Sequence, residues 1–330
     1  MALLATHQYS LARMPFVETY DLAIEPWRKG FATSQRPLPE TIHYVDHFEP
    51  GKYDFALLHV DQQCIYDPAK GQRISKGRLF MELRKTIKDL EPDLPVLVIN
   101  HMTPFHDDFE SPVVVEYIKE MLQDDFMIVN SYEAAQQWGW GHVITHGLET
   151  SEWWDLPKEP RVTIVLSPQG METAYRRIFI TETIRLLQDK EVPVTWVGVT
   201  KKFETFDDYR DYLGRSLVFF HGAWQSPRPR SRTEAMLSGC CVVSTPYQDA
   251  NTFIKDGENG FLTSPEAIAD PRIMDNPQKT ADLLERLVLK EPELAIKVGQ
   301  AGKKYAQEHF NKEVFDGQWE ALLKKLNILK

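Results

Sequence analysis

Along this chain, short unbroken apolar runs alternate with stretches in which apolar residues recur every three or four positions. DFALLHV (Asp54 to Val60) and LPVLVIN (Leu94 to Asn100) are continuous apolar runs of strand length. That is the pattern of parallel strands covered on both faces, because an alternating strand would leave one face wet. Between them, SKGRLFMELRKTIKDL places Leu79, Leu83, Ile87 and Leu90 at helical spacing, so strand, helix, strand is predicted. SPVVVEYIKEMLQ then opens a helix, with Ser111 as N-cap and Pro112 at the first helical position, where a missing N–H costs nothing. FMIVNS and HVITHG (His142 to Gly147) add two strands.

LETSEWWDLPKEP, Leu148 to Pro160, is polar, aromatic and interrupted by proline, and is the predicted linker. After it the alternation restarts. RVTIVLS, VTWVGV, LVFFH and CVVST read as strands, while METAYRRIFITETIRLLQ, DDYRDYLGR and the segment around SRTEAM read as helices. From Thr280 the chain is helical to its end. Two alternating halves predict an α/β protein of two doubly wound Rossmann-like domains facing an inter-domain cleft, with ligands beyond the carboxyl ends of the strands. The expected division is residues 1–155, 156–310 and a terminal helix over 311–330.

Composition narrows the class. The chain has 330 residues, which suits two domains, and its balance of apolar and charged residues is that of a globular protein. No apolar run reaches the roughly 18 residues of a spanning helix, and the opening MALLATHQYSLARMPF lacks the basic leader of a signal peptide. Cys64, Cys240 and Cys241 make no disulfide framework, and the adjacent pair reads as small buried hydrophobes, so a reducing cytoplasm is expected. A net charge of -10 argues against nucleic-acid binding and against resting on anionic lipid by charge alone. Peripheral membrane contact through an apolar patch stays open. One basic cluster stands out: SPRPRSR concentrates Arg228, Arg230 and Arg232.

That cluster runs into SRTEAMLSGCCVVSTP. Glu234 follows Ser231 by three, the spacing of a capping box, which needs no ligand. The other reading is chemical. A helix N-terminus after a strand favours an anion such as a pyrophosphate, and a carboxylate in its first turn can accept hydrogen bonds from a ribose diol. Both readings hold at this point.

EAMLSGCCVVSTPYQDANTFIKDGENGFLT, Glu234 to Thr263, resembles the C-domain signature of retaining GT-B glycosyltransferases of the large family-4 group. The I-x-D-G-x-N-G-F-L piece, Ile254 to Leu262, is its most specific part, although Asp256-Gly257 and Asn259-Gly260 are themselves turn formers that shape the fold. NHMTPFHDD resembles the place where that family's N-domain puts a histidine, here His101. VITHGLETSEW resembles the end of its N-domain, and FNKEVFDGQWEALL the closing helix that returns to it. The resemblance covers most of the second half and the first half in patches.

Two departures bear on the site. The family's first donor glutamate stands eight residues before the second, where this chain has Ser226, and its glycine-rich turn is replaced by Pro227-Arg228-Pro229-Arg230. Serine can hydrogen-bond a sugar but brings no charge, while arginine grips phosphate through a bidentate fork. The family's basic pair after the first C-domain strand is also altered, leaving Arg176 or Arg177 as the nearest cations.

The resemblance implies transfer of a hexosyl group from a UDP- or GDP-sugar to a hydroxyl of a saccharide or small molecule, with retention and without a metal. No cofactor is implied beyond the donor. The donor-binding candidates are Ser226, Arg230, Ser231, Arg232, Thr233 and Glu234, with His101 and Arg177 as catalytic candidates. Asp107-Asp108 and Asp207-Asp208 read as caps or solvated acids, and Trp153-Trp154 as a sugar platform or as packing. Two alternatives stay open: a nucleotide-sugar-binding protein with little or no transferase activity, and a nucleotide-sugar epimerase on the same fold. No G-x-G-x-x-G opens either half, which weighs against a nicotinamide dehydrogenase.

Overall fold

The computed structural model describes residues 10–22, 41–61, 64–65, 76–105, 109–165, 174–222, 229–247, 249–263 and 276–330. Contacts divide the chain into two units, the first Met1–Thr145 with Gln225–Pro227 and Phe315–Lys330, the second His146–Trp224 with Arg228–Val314.

In the first unit, β1 (Thr19–Leu22) pairs with β2 (Ile42–Val45) in a two-stranded parallel sheet. A second, four-stranded sheet runs β3-β4-β5-β6, all parallel, with β3 at Ala56–Val60, β4 at Val96–Asn100, β5 at Phe126–Val129 and β6 at His142–Val143. Its helices are α1 (Lys76–Leu90), α2 (Ser111–Leu122) and α3 (Tyr132–Trp138). Strand β4 is buried at every position, as its apolar run requires. Phe80, Ile87, Val114, Ile118 and Met121 pack on one face of the sheet. The last helix of the chain, named α10 below, supplies Phe315, Trp319, Leu322 and Leu323 against Leu97, Ile99, Ile128 and Ile144.

The second unit holds one five-stranded parallel sheet ordered β11-β10-β9-β7-β8. Its strands are β7 (Glu159–Val165), β8 (Val194–Val197), β9 (Ser216–His221), β10 (Cys241–Ser244) and β11 (Phe261–Leu262). Its helices are α4 (Ala174–Asp189), α5 (Phe206–Arg215), α6 (Arg230–Leu237), the single turn α7 (Ala250–Phe253), α8 (Pro277–Glu285) and α9 (Pro292–His309). A π-helical stretch, Arg286–Lys290, continues α8, and α10 (Lys312–Lys325) follows α9. Helix α9 packs close because it carries glycine at the contacts: a Cβ on Gly299 would stand 2.5 Å from the Gly239 carbonyl oxygen.

Several sequence expectations shift. In α1, Ile87 is buried and Leu83 packs on the core as the spacing predicts, but Phe80 is buried as well and Leu90 stands at 53% exposure. Helix α2 takes Glu110 as N-cap, so Ser111 is already helical and makes no cap. The 148–160 segment is folded onto the second unit rather than left as a tether. Trp153 is in that unit's core against Phe206 and Tyr209, and Arg210 lies over Trp154 at 4.5 Å. Asp155 accepts hydrogen bonds from Gln300 and Lys303 at 2.8 and 3.0 Å. Packing therefore accounts for both tryptophans. Cys240 and Cys241 are free and buried in the sheet core, and burial pushes the Cys240 thiol up to about 11.

Candidate functional site

The elements of the second unit converge on the start of α6. Strand β9 is buried at all six positions and ends at His221, which stands in register with Ser244 at the end of β10. The chain then enters α6 at Arg230, with Pro229 as N-cap and, among the described residues, no side chain capping the helix. The Ser231–Glu234 capping box is therefore not formed. Pro229, at φ -65 and ψ 120, sets the helix two residues ahead of Ser231, and this shift moves Glu234 into the second turn.

Seven of the eight residues of α6 are buried, so the helix has no solvent face and its polar residues must be satisfied within the fold. Glu234 is 2% exposed, and its Oε2 accepts a 2.8 Å hydrogen bond from the Tyr209 hydroxyl of α5. Arg232, at 1% exposure, donates to Ser244 Oγ at 3.2 Å and lies over the Phe253 ring at 4.9 Å. Arg230 and Thr233 are buried too, and Ser231 is half-buried. Two guanidinium groups, a hydroxyl and a carboxylate thus share two turns at the carboxyl edge of a parallel sheet. Such a set can hold a polyanion and a diol together.

Below this site, Ile254 to Leu262 folds as a tight turn. Gly257 has φ +74, Asn259 donates to the Phe253 carbonyl at 2.9 Å, and Asp256 accepts from Leu262 N–H at 2.9 Å. These residues build the turn, as the sequence reading held. Asp208 is also structural: it forms a reciprocal capping box with Thr205 at the start of α5, while Asp207 pairs with Arg210.

In the first unit, His101 follows β4 and is half-buried. Its Nε2 lies 2.8 Å from Nδ1 of His59 on β3, and its Nδ1 lies 3.3 Å from Nδ2 of Asn130 just after β5. His59 is buried, and burial, followed by repulsion from His101, holds its imidazole well below the usual histidine range. A cavity of about 320 Å³ in the same unit is lined by His59, Asp21, Tyr53, Leu57 and Trp319 among others, and by none of the predicted site residues.

Arg177 falls within α4, but its side chain lies outside the described residues, as do Ser226 and Asp107-Asp108. The structure groups Arg230 to Glu234 on one helix and ties His101 to two partners the sequence reading missed. His59 carried a signal, as the one polar residue in the run FALLHV. Tyr209 carried none, since its aromatic ring alone explains its place in α5. Among the described residues, no cluster of three or more His, Cys, Asp or Glu forms a metal site, and no helix is long and apolar enough to cross a membrane.

No family model and no curated protein matches the sequence. Solved structures do match. HepE of Anabaena, solved with UDP and glucose, superposes at TM-score 0.56 with 15% identity, over 74% of this chain and 75% of that one. Sucrose-phosphate synthase of Thermosynechococcus elongatus superposes at 0.57 with 16% identity, over 83% and 74%. A glycosyltransferase of Rickettsia africae reaches 0.58 at 13% identity, over 97% and 93%. The chain shares their fold, the GT-B fold of two parallel α/β units.

Proposed function

We propose that this chain is a glycosyltransferase that moves a hexosyl group from a UDP- or GDP-sugar to a hydroxyl of a saccharide or small-molecule acceptor. The observation that carries the reading is the start of α6, where Arg230, Arg232, Thr233 and Glu234 are buried together on a helix whose N-cap, Pro229, makes no side-chain cap. The donor class is supported by neighbours of like fold solved with UDP and glucose, with UDP-glucose, and with UDP and GlcNAc.

In this reading the uncapped N–H groups of α6 and Arg230 receive the diphosphate, and Glu234, held by Tyr209, receives the ribose diol. Departure of the diphosphate builds negative charge where those donors already point, so the barrier falls without a protein nucleophile. Arg232, engaged with Ser244 and Phe253, braces the helix. Arg177 is assigned to the phosphates, Ser226 to the donor sugar and His101 to a sugar hydroxyl. Retention and metal independence belong to the same reading and rest on the family-4 resemblance. A reducing cytoplasmic setting belongs to the reading too and rests on the cysteine usage, the three cysteines being free and buried.

The test is thermal unfolding of the full chain with UDP, GDP, ADP and their sugars. A ligand at a hundredfold excess over Kd adds about 2.7 kcal/mol, and that gain is expected from one nucleoside diphosphate and lost in Glu234→Ala. No gain from any of them sinks the reading. Product NMR then reads the anomeric configuration, turnover in a chelator reads metal independence, and Ser226→Glu separates a weakened enzyme, which gains turnover, from a binder, which does not.

A further inference from the structure

The polar chain across β3, β4 and β5 links three residues far apart in sequence, and only its geometry shows what it does. His59 and His101 have their ring planes 4° apart with centroids at 5.1 Å, while the facing nitrogens are 2.8 Å apart. Stacked faces cannot approach closer than roughly 3.5 Å, so these nitrogens meet edge to edge, along a hydrogen bond in the common plane. An amide nitrogen only donates, so Asn130 Nδ2 makes His101 Nδ1 an acceptor. The His101 proton then sits on Nε2 and points at His59 Nδ1, which accepts it, and the His59 proton sits on its own Nε2.

We propose that His59 and Asn130 are positioning residues that hold His101 as its neutral Nε2–H tautomer, with Nδ1 as the ring's acceptor toward a sugar hydroxyl. The assignment of a sugar hydroxyl rests on the transferase reading above; the tautomer does not. At 3.3 Å the Asn130 contact is the longer and weaker of the two hydrogen bonds, so a ligand O–H can take Nδ1 from it, whereas the 2.8 Å bond to His59 stays. Burial keeps His59 from accepting a second proton, so the pair passes no proton inward. A hydroxyl held at Nδ1 is therefore oriented by His101, and a proton it gave up would stay on that ring.

The experiment is a long-range proton–nitrogen NMR spectrum of the full chain labelled with ¹⁵N-histidine, at neutral pH and without ligand, the His101 signals being assigned by His101→Gln. The expected result is a neutral His101 protonated at Nε2; a proton on Nδ1, or on both nitrogens, overturns the proposal. Asn130→Asp replaces the donor with a carboxylate and is expected to move a proton onto Nδ1, and an unmoved signal overturns it as well. His59→Asn keeps an acceptor oxygen where Nδ1 stood and should keep the tautomer. His59→Leu should mix the tautomers and lower donor kcat/KM about tenfold, the scale of one lost hydrogen bond. Should His59→Leu fail to fold, the wild-type and Asn130→Asp spectra still decide. An Nε2–H tautomer in a protein that turns over no nucleotide sugar would sink the transferase reading and leave the positioning role standing. An active protein with Nδ1–H would do the reverse.

Discussion

The two units solve the same problem differently. Each sets polar residues at the carboxyl ends of buried parallel strands, where a wrong partner is costly. The second unit does so with five consecutive residues, Arg230 to Glu234, braced by Tyr209, Ser244 and Phe253. The first does so with residues separated by 42 and 29 positions, one on β3 and one just past the end of each of β4 and β5. A site carried by one helix can vary as a cassette while its sheet stays fixed. A site shared by three strands is tied to the register of the sheet itself, since slipping one strand by a residue turns its side chain to the other face.

Three experiments separate these designs, beginning with the largest effect. Trp319→Ala removes a side chain that is 1% exposed from the core of the first unit, and should cost about 3–5 kcal/mol in denaturant unfolding. A loss under about 1 kcal/mol would mean that α10 is dispensable to that sheet. Tyr209→Phe leaves Glu234 buried and short of a donor; it should cost about 1–3 kcal/mol and weaken nucleotide binding, measured by calorimetric titration. Unchanged affinity would detach Tyr209 from the site.

The third sharpens the first unit's design through pH. His59 is held neutral in the folded chain, by burial first and His101 second, whereas the unfolded chain takes up a proton near the ordinary value of 6.5. Below that value the unfolded state binds more protons, so stability falls with falling pH until the folded His59 also charges. The slope is about 1.4 kcal/mol per unit from this group, and His59→Asn should remove it. Stability curves of the two proteins that run parallel from pH 7 to 5 would show that His59 is not desolvated.

Much of this was legible from sequence, and the failures have physical causes. Short apolar runs such as LPVLVIN, of strand length and rich in β-branched residues, announce strands covered on both faces, and β4 is buried throughout. The turn at Asp256 to Gly260 was readable because each residue's backbone preference is local. Capping boxes show where local reading stops. Thr205–Asp208 forms one, while Ser231–Glu234, with equal spacing, does not. The difference is Pro229, whose fixed φ starts α6 early and buries the would-be cap inside it. The 148–160 segment read as a linker because its composition is polar, yet Trp153 had a core to enter that composition does not reveal. His59 and Asn130 were missed for the same reason: hydrogen bonds between strands depend on sheet order, which the sequence does not write out.

Helix α10 has a consequence for how the protein is made. The second unit is closed by residue 314, but the first recovers Phe315, Trp319, Leu322 and Leu323 only from the final stretch of chain. During synthesis, Leu97, Ile99, Ile128 and Ile144 wait with that face covered only in part, by Leu11 and Met14, while the second unit emerges. Of the two units, the one made earlier is thus the later to be finished, and its half-covered sheet face is where a chaperone would bind and where a truncated chain would aggregate.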